Sequence, residues 1–468
     1  MGKTGRGGRR NHKLNRPSSS SSSATHSTQP FTKTLPENLI CEILFRVPVK
    51  SLIRFRCVSK SWLLRTRDPR FISMHLKHNT LSNNKKLICN TYVYDFKFKN
   101  CWKVIAFIRV RDPIIPVLEI DLDVKVKDDF TGTINFADFS KDMVMVGSIN
   151  GVICLSSHLR EVKGRFVALW NPGINMWKLI RLPGPEFLFE SDREGFVGYV
   201  SSIGLGFVAE EEDFRIVRIV PVHRGPESRE CWSRVEVYSV NSDSWTYVDN
   251  EDCIPFWPNL PNSNFILEGV PYFVGVDLLP EDLGTYNPYL HEVLAAFDPL
   301  TRAYKKISYP MHVKNKTTCV HPLNWKDSVA ALVQSPGKYP NHLVDMYVLD
   351  KNNDNWTKVY TIEHAFEGLR ILQCLTTGEI VLETWKGNNI AKRTPYFCYP
   401  ETRDHAYYNG WFDYLDPLWG ESYIHIESLV CVKGMETTGK EKSKKNRSSR
   451  KNWTVSLSKD FGSGLHLN

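Results

Sequence analysis

The chain has 468 residues and a formal net charge of +9, with 42% hydrophobic, 24% charged and 12% aromatic residues, an ordinary globular composition. No apolar run approaches the ~18 residues that a membrane-spanning helix needs, which excludes a helical span. At about 150 residues per domain the length suggests two or three domains.

The positive charge sits at the ends. Residues 1–33 carry Lys3, Arg6, Arg9, Arg10, Lys13, Arg16 and Lys33 and no acid, and residues 437–468 carry eight basic residues against Glu441 and Asp460. These tails hold +7 and +6, which leaves −4 on residues 34–436. A nucleic-acid surface would put the charge on the fold, so nucleic acid is not an expected partner. The N-terminus lacks the apolar core of a secretory signal, and Arg6 stands where myristoylation wants Ser or Thr. The final Gly-Leu-His-Leu-Asn is no prenylation box. Eleven irregularly spaced cysteines, without Cys-x-x-Cys, fit buried thiols of a reducing compartment. The expected location is the cytoplasm, the nucleus or both.

In chain order, residues 1–33 are rich in Gly, Arg and Ser and are expected to be disordered. Leu35-Pro36 opens a helix, with Pro where its missing N–H costs nothing. Leu39, Ile40, Ile43, Leu44 and Val47 follow at helical spacing until Pro48. A short second helix carries Val49, Leu52 and Ile53. A third presents Phe55, Val58 and Trp62 between Arg54, Arg56, Lys60 and Arg65. Three helices of this size fall below the ~40 residues at which a lone domain usually needs help. The block, drawn at 34–74, is therefore expected to dock on a partner. The polar stretch 75–86 reads as a hinge or loop.

Residues 87–434 change character, to short β-branched and aromatic runs broken by Pro, Gly, Asn and Asp, an all-β signature. One phrase recurs. An apolar strand meets an Asn, Asp, Pro or Ser turn, and a second strand follows, opened by an aromatic ring at Trp177, Trp245, Tyr304 or Trp356. Asn and Asp hydrogen-bond their own turn backbone, and the ring can cover the hairpin end. Such hairpins bury little alone, so the span predicts about six or seven propeller blades; a β-sandwich is the lesser alternative. Kelch-type double glycines and a Trp-Asp signature are missing. Residues 435–468 return to a basic, low-complexity tail, expected to be disordered. Its segment 440–447 invites a nuclear-import reading, and Ser448 and Ser449 beside Arg447 and Arg450 are candidate phosphorylation sites.

The helical residues resemble the F-box: Leu35-Pro36, Leu39-Ile40, Ile43-Leu44, Val47-Pro48-Val49-Lys50-Ser51-Leu52 and Arg56-Cys57-Val58-Ser59-Lys60-Ser61-Trp62. That resemblance implies a surface for a Skp-type adaptor, and through it a cullin and a RING protein. Leu35, Pro36, Leu39, Ile43, Leu44, Leu52, Val58 and Trp62 would form the adaptor face. The β region resembles the F-box-associated domain of a large plant family. The residues that carry this are 147–155 (Gly-Ser-Ile-Asn-Gly-Val-Ile-Cys-Leu), Leu169-Trp170-Asn171-Pro172, Leu182-Pro183, Gly204-Leu205-Gly206-Phe207, 213–218 and 235–240. Gly173-Ile174 departs from the pattern at one turn. The implied architecture is multidomain, α plus all-β: a three-helix F-box, then a propeller-like domain, with disordered tails. The implied role is substrate recognition in an SCF-type ubiquitin ligase.

Catalytic motifs fail on inspection. Gly2-Lys3-Thr4 has no strand or glycine before it. Gly204-Leu205-Gly206 has no third glycine and no following helix. His291-Glu292 begins like a zinc helix, but position 295 is Ala and the context is a strand. No Gly-x-Ser-x-Gly elbow occurs. Cys41 and Cys57 read as small packed side chains. No cofactor, metal or catalytic residue is expected. The alternatives are a propeller-fold small-molecule enzyme or ligand-binding protein drawing on His158, His223, His312, His321, His342 or His364, and a nuclear nucleic-acid binder working through its tails.

Overall fold

The computed structural model describes residues 35–82, 85–95, 100–109, 125–128, 132–135, 144–157, 166–183, 201–223, 231–247, 254–258, 265–277, 292–310, 319–334, 342–351, 354–364, 368–374, 378–385, 393–402, 404–407, 415–416 and 422–437. Both basic tails lie outside these residues, except at 435–437. The chain divides into two compact units, Met1–Leu44 and Phe45–Asn468.

Helix α1 spans Glu37–Phe45. Its first turn closes on the Pro36 carbonyl, which accepts from Leu39 N at 3.0 Å and Ile40 N at 3.2 Å. Glu37 in that turn suits the positive end of the helix dipole.

The second unit begins with three more helices, α2 (Val49–Phe55), α3 (Lys60–Arg65) and α4 (Pro69–Leu81). Phe55 closes α2 instead of opening the third helix, because Ser59 caps α3, its hydroxyl accepting from Ser61 N at 3.2 Å. The expected hinge over 75–86 is corrected too. Asp68 caps α4 by accepting from Arg70 N at 2.8 Å, Pro69 stands at its start, and the helix runs on to Leu81. Phe71 and His75, four apart, bury one face, so a stretch polar in composition is amphipathic in pattern.

Among the described residues six antiparallel sheets of four or five strands follow. Sheet 1 pairs Lys86–Asp95 with Asn100–Arg109, and is completed by Leu415–Asp416 and Ser422–His425 from the far end of the chain. Sheet 2 holds Val144–Ile149, Val152–Ser156, Phe166–Asn171 and Met176–Arg181, with Glu436–Thr437 added at its outer edge. Met435 is also buried, so residues 435–437 belong to the fold and not to the tail. Sheet 3 runs from Ser202–Val208 through Asp213–His223 and Cys231–Ser239 to Ser244–Tyr247. Sheet 4 holds Phe256–Pro258, Phe265–Leu267, Val270–Asp277, Glu292–Phe297 and Tyr304–Ser308. Sheet 5 runs Cys319–Trp325, Ser328–Gln334, His342–Leu349, Trp356–His364. Sheet 6 runs Gly368–Cys374, Ile380–Trp385, Arg393–Tyr399, Asp404–Tyr407. A separate hairpin pairs Lys125–Asp128 with Gly132–Asn135.

The six sheets are separate ladders that adjoin in a cycle. Ser422–His425 lies beside Val144–Ile149, which lies beside Ser202–Val208, and that beside Val270–Asp277. Phe265–Leu267 then adjoins Cys319–Trp325, which adjoins Gly368–Cys374, and this adjoins Ser422–His425 again. Sheets packed on both faces explain why strands such as Val152–Ser156 are buried at every residue. In sheet 3, Leu205, Phe214 and Ile216 join the core shared with sheet 2. Their neighbours Val217, Ile219 and Val237 join the core shared with sheet 4. This is a propeller-like domain, as the recurring phrase predicted.

The phrase is the hairpin between the last two strands of sheets 2 to 5. The residue two before each ring, Asn175, Asp243, Arg302 or Asp354, has a positive φ of 53–61°, the left-handed residue that ends a four-residue turn. Asn171 and Asp298 brace two of these turns by accepting from Gly173 N at 2.9 Å and Leu300 N at 2.8 Å. Sheet 6 repeats the register, with Tyr399 opposite Asp404. It escaped the sequence reading because His405 stands where the other hairpins carry a ring of Trp or Tyr.

The same positions join sheet to sheet. Lys178, just after Trp177, reaches Asp243 at 2.7 Å, and Lys305, just after Tyr304, reaches Asp354 at 2.8 Å. Between sheets 3 and 4 the polarity reverses, Arg302 donating to Thr246 Oγ1 at 3.2 Å. The rings themselves staple outer strands: Trp245 Nε1 donates to the Arg181 carbonyl at 3.0 Å and Trp356 Nε1 to the Ser308 carbonyl at 2.8 Å.

Candidate interaction site on the helices

In the first unit, α1 carries an exposed row. Leu35, Leu39 and Ile43, spaced by four, are 55%, 50% and 52% exposed, and Pro36 is exposed beside them. Leu39 and Ile43 lie along one face of the helix, and Leu35 stands two residues before its start. Leu44 is buried and does not belong to that row.

In the second unit, α2 turns inward. Leu52 and Val49 are fully buried, and Val49 Cγ1 lies so near Gly173 that a Cβ there would come within 2.9 Å. A side chain at residue 173 would have to displace Val49. Leu44 and Leu52, both expected on the adaptor face, are thus corrected to interior positions. Val58 is fully on the surface at 75% exposure, whereas Trp62 is half-buried with its edge against Phe55, ring centroids 5.1 Å apart. Cys57 is exposed and Cys41 half-buried, so Cys57 is not the packed side chain expected of it.

Arg56 fixes the α2–α3 corner. Its Nε donates to Thr66 Oγ1 at 3.0 Å and its Nη2 to the Thr66 carbonyl at 2.9 Å, while Thr66 Oγ1 donates to the Trp62 carbonyl at 2.8 Å. Burial, with Arg67 nearby, pulls the Arg56 guanidinium below its ordinary value. Phe45 stacks on Phe71 at 5.0 Å, and His75 Nε2 donates to the Val47 carbonyl at 3.2 Å. Burial lowers the His75 pKa against the opposing pull of that bond. The neutral ring then leaves Nδ1 to accept from Asn79 at 3.4 Å.

Helices α2 and α4 are tied to the β region. Asn79 Nδ2 donates to the Glu427 carbonyl at 3.0 Å, and Lys86 pairs with the Glu427 carboxylate at 2.7 Å. The segment through Ser428 is then gripped by sheet 2. Asn171 Nδ2 donates to the carbonyls of Ser428 at 3.2 Å and Val430 at 2.7 Å. Ser428 Oγ donates to the Asn150 carbonyl at 2.6 Å. Gly151 has φ +81°, and a Cβ on it would lie 2.2 Å from Ser428 Oγ, so the Asn150-Gly151 turn is shaped to admit this segment. The residues singled out as family-like in the sequence therefore clasp a returning C-terminal segment.

Among the described residues no group of three or more His, Cys, Asp or Glu is placed to hold a metal. Of the scattered histidines, His158 and His312 lie outside the described residues; His342 and His364 are cross-strand partners in sheet 5, and His321 stands on that sheet's first strand. Burial raises the Cys154 thiol well above its ordinary value and the Cys398 thiol to about 11, which makes both inert.

The profile of the F-box associated beta propeller domain matches residues 114–390, more than half of the chain, and that of the F-box domain matches residues 33–73. The chain belongs to the F-box-associated β-propeller family. It is a plant-type F-box protein in its relatives too. It is 24% identical over 344 residues to the F-box protein CPR1 of Arabidopsis thaliana, covering 70% of this chain and 73% of that one. It is also 28% identical over 213 residues to an Arabidopsis thaliana F-box/kelch-repeat protein, covering 45% and 50%. Among solved structures it is similar to the β-propeller domain of the Trilobed protease from Pyrococcus furiosus, at 11% identity and a TM-score of 0.32 over 58% of this chain and 72% of that one. The F-box profile covers α1 to α3 and the first turn of α4. The clasp at 427–430 lies beyond the part of the F-box-associated domain that is matched.

Proposed function

We propose that this F-box protein is the substrate-recognition subunit of an SCF-type cullin-RING ubiquitin ligase. The observation that carries the reading is the exposed row Leu35, Leu39 and Ile43 inside an F-box match, in a chain that continues into an F-box-associated propeller domain. Pro36 beside the row, and Val58 and Trp62 in the second unit, are the further residues that would meet a Skp-type adaptor, while Leu52 is buried within the second unit. The chain makes and breaks no bond in this role. It raises the local concentration of a target's lysines near the charged ubiquitin carrier.

The clasp supports that role. Asn79, Glu427, Asn171 and Val49 fasten α2 and α4 to the end of sheet 2 where its two- and four-residue turns lie. A captured protein would be met by the β domain away from these contacts. Co-expression of the full chain with a Skp-type adaptor, followed by calorimetry, tests the reading. Binding by the native chain and its loss in Leu35→Ala with Pro36→Ala is the expected result; an unaffected double variant would remove the assignment.

A further inference from the structure

Residues 422–437 join sheets 1, 2 and 3 in one pass. Ser422–His425 pairs with residues 86–89 and completes sheet 1. Asn171 of sheet 2 then holds the carbonyls of Ser428 and Val430. Val432 and Met435 are buried in the core that sheets 2 and 3 share. Lys433 Nζ donates to the Asn241 carbonyl, 2.6 Å away at a turn of sheet 3. Glu436–Thr437 finally forms the outer edge of sheet 2. The segment lies outside both profile matches.

The helices of the second unit come down on the same segment. Asn79 of α4 reaches the Glu427 carbonyl, 348 residues further along the chain. Burial raises the Cys431 thiol, and Arg56 and Arg67 pull it back, which places the α2–α3 corner beside the segment. Val49 of α2 packs on Gly173, in the turn that begins at Asn171. Each of these contacts is made with the segment or with the turn that grips it. Helices α2 and α3 have only seven and six residues, and helices shorter than about 12–15 residues are marginal alone. What they pack on decides when they are in place.

We infer that residues 422–437 act as one strap, so that helices α2 and α4 keep their place on the β region only while Ser422–His425 completes sheet 1. Closure of the ring of sheets and docking of these helices are then a single cooperative event. Parting Ser422–His425 from residues 86–89 carries Glu427 away from both Asn79 and Lys86 in the same movement. The strap does not depend on the receptor reading, but it sets that reading a condition. The span between a bound adaptor and a captured protein is fixed only while the C-terminal strands are paired.

Hydrogen exchange of the full chain, followed by mass spectrometry, tests the inference. A shared opening gives the slowest amides of α4 and of residues 422–425 rates within about threefold of each other. Tyr423→Ala removes a buried ring that packs with Ile88, Phe107 and Met145. It should speed exchange of 422–425 and of α4 alike, by about tenfold or more, with sheets 4 and 5 as in the native chain. Asn171→Ala, which alters no helix, should do the same to 427–432 and α4, and decides the matter if the first variant does not fold. If α4 keeps its native rate while the strap exchanges faster, docking is independent of closure and the inference fails. Calorimetry with a Skp-type adaptor keeps the two readings apart. A native chain that does not bind removes the receptor reading and leaves the strap to be judged by exchange. Native binding with α4 indifferent to both variants removes the strap and leaves the receptor reading standing.

Discussion

The helices and the sheets treat their side chains in opposite ways. Among the described residues, seven of the ten large apolar residues left exposed, Leu35, Leu39, Ile43, Val58, Leu64, Met74 and Leu81, lie in the helical block 35–82, although the sheets supply most of the core. Charge divides in the same manner. Sheet 3 buries Arg218, Glu236 and Arg234 together, with Glu236 accepting from Arg218 at 2.8 Å and from Arg234 at 2.7 Å, whereas the helices keep Lys60, Arg70 and Lys77 at the surface. A region that buries even its ion pairs is held together from within. A region that exposes apolar rows beside cations is shaped for a partner.

The sharpest way to break this comparison is to remove one member of the buried cluster. Glu236 is fully buried, and Glu236→Gln leaves two guanidiniums facing each other with no anion between them. The expected cost is about 3–5 kcal/mol of stability, read as a large fall in thermal midpoint. A change below about 1 kcal/mol would mean that the cluster is not held as described. The helical counterpart is Leu39→Asp with Ile43→Asp. Both residues are half-exposed or more, so the midpoint should hold. Adaptor affinity should fall more than about a hundredfold, or about 2.7 kcal/mol. A variant that loses stability instead would place the row in the fold's own core.

A smaller effect comes from pH. His425 is buried against Phe107, ring centroids 5.6 Å apart, with Ser148 Oγ 3.2 Å from Nδ1. Burial, and then Lys86, pulls its pKa from 6.5 to about 3, and burial lowers His75 as well. Each folded-state pKa lies below the unfolded value, so the unfolded chain binds more protons in between. Stability is full above pH 6.5 and falls as the pH drops toward about 3 for His425. At pH 5 the His425 contribution amounts to about 2 kcal/mol. Denaturant titrations at pH 7 and pH 5 measure it, and in His425→Gln the difference should shrink.

The two regions also differed in how much of them could be read from residues alone. In the sheets the turn chemistry is local, so Asn171, Asp243, Asp298 and Asp354 announced their hairpins, and all four phrases became the last two strands of sheets 2 to 5. The sixth sheet hid because His405 broke the aromatic pattern. The closure of sheet 1 by Ser422–His425 hid because it pairs strands more than 300 residues apart, for which no local signal exists. In the helices the polar composition of 75–81 masked a helix whose signal was spacing: Asp68 and Pro69 at its start, Phe71 and His75 on its inner face. Leu44 and Leu52 were misplaced for a related reason. Periodicity marks which residues share a face, but not whether that face meets the chain's own core or another protein.

The smallest expected effect tests the regularity that makes the sheets look most alike. Lys305 and Asp354 join sheets 4 and 5 at the position where Lys178 and Asp243 join sheets 2 and 3, but their surroundings differ. Lys305 is 54% exposed and Asp354 59%, while Lys178 is 7% exposed and lies over the Tyr238 ring at 5.9 Å. Its bond to Asp243, with a second from Tyr238, holds that carboxyl below the usual range. A double-mutant cycle on Lys305 and Asp354 should give a coupling below about 0.5 kcal/mol that vanishes in high salt. The cycle on Lys178 and Asp243 should give a larger one that persists, because half of that pair is out of reach of counterions. Equal couplings would mean that the repeated position, and not its burial, sets the strength of the joint.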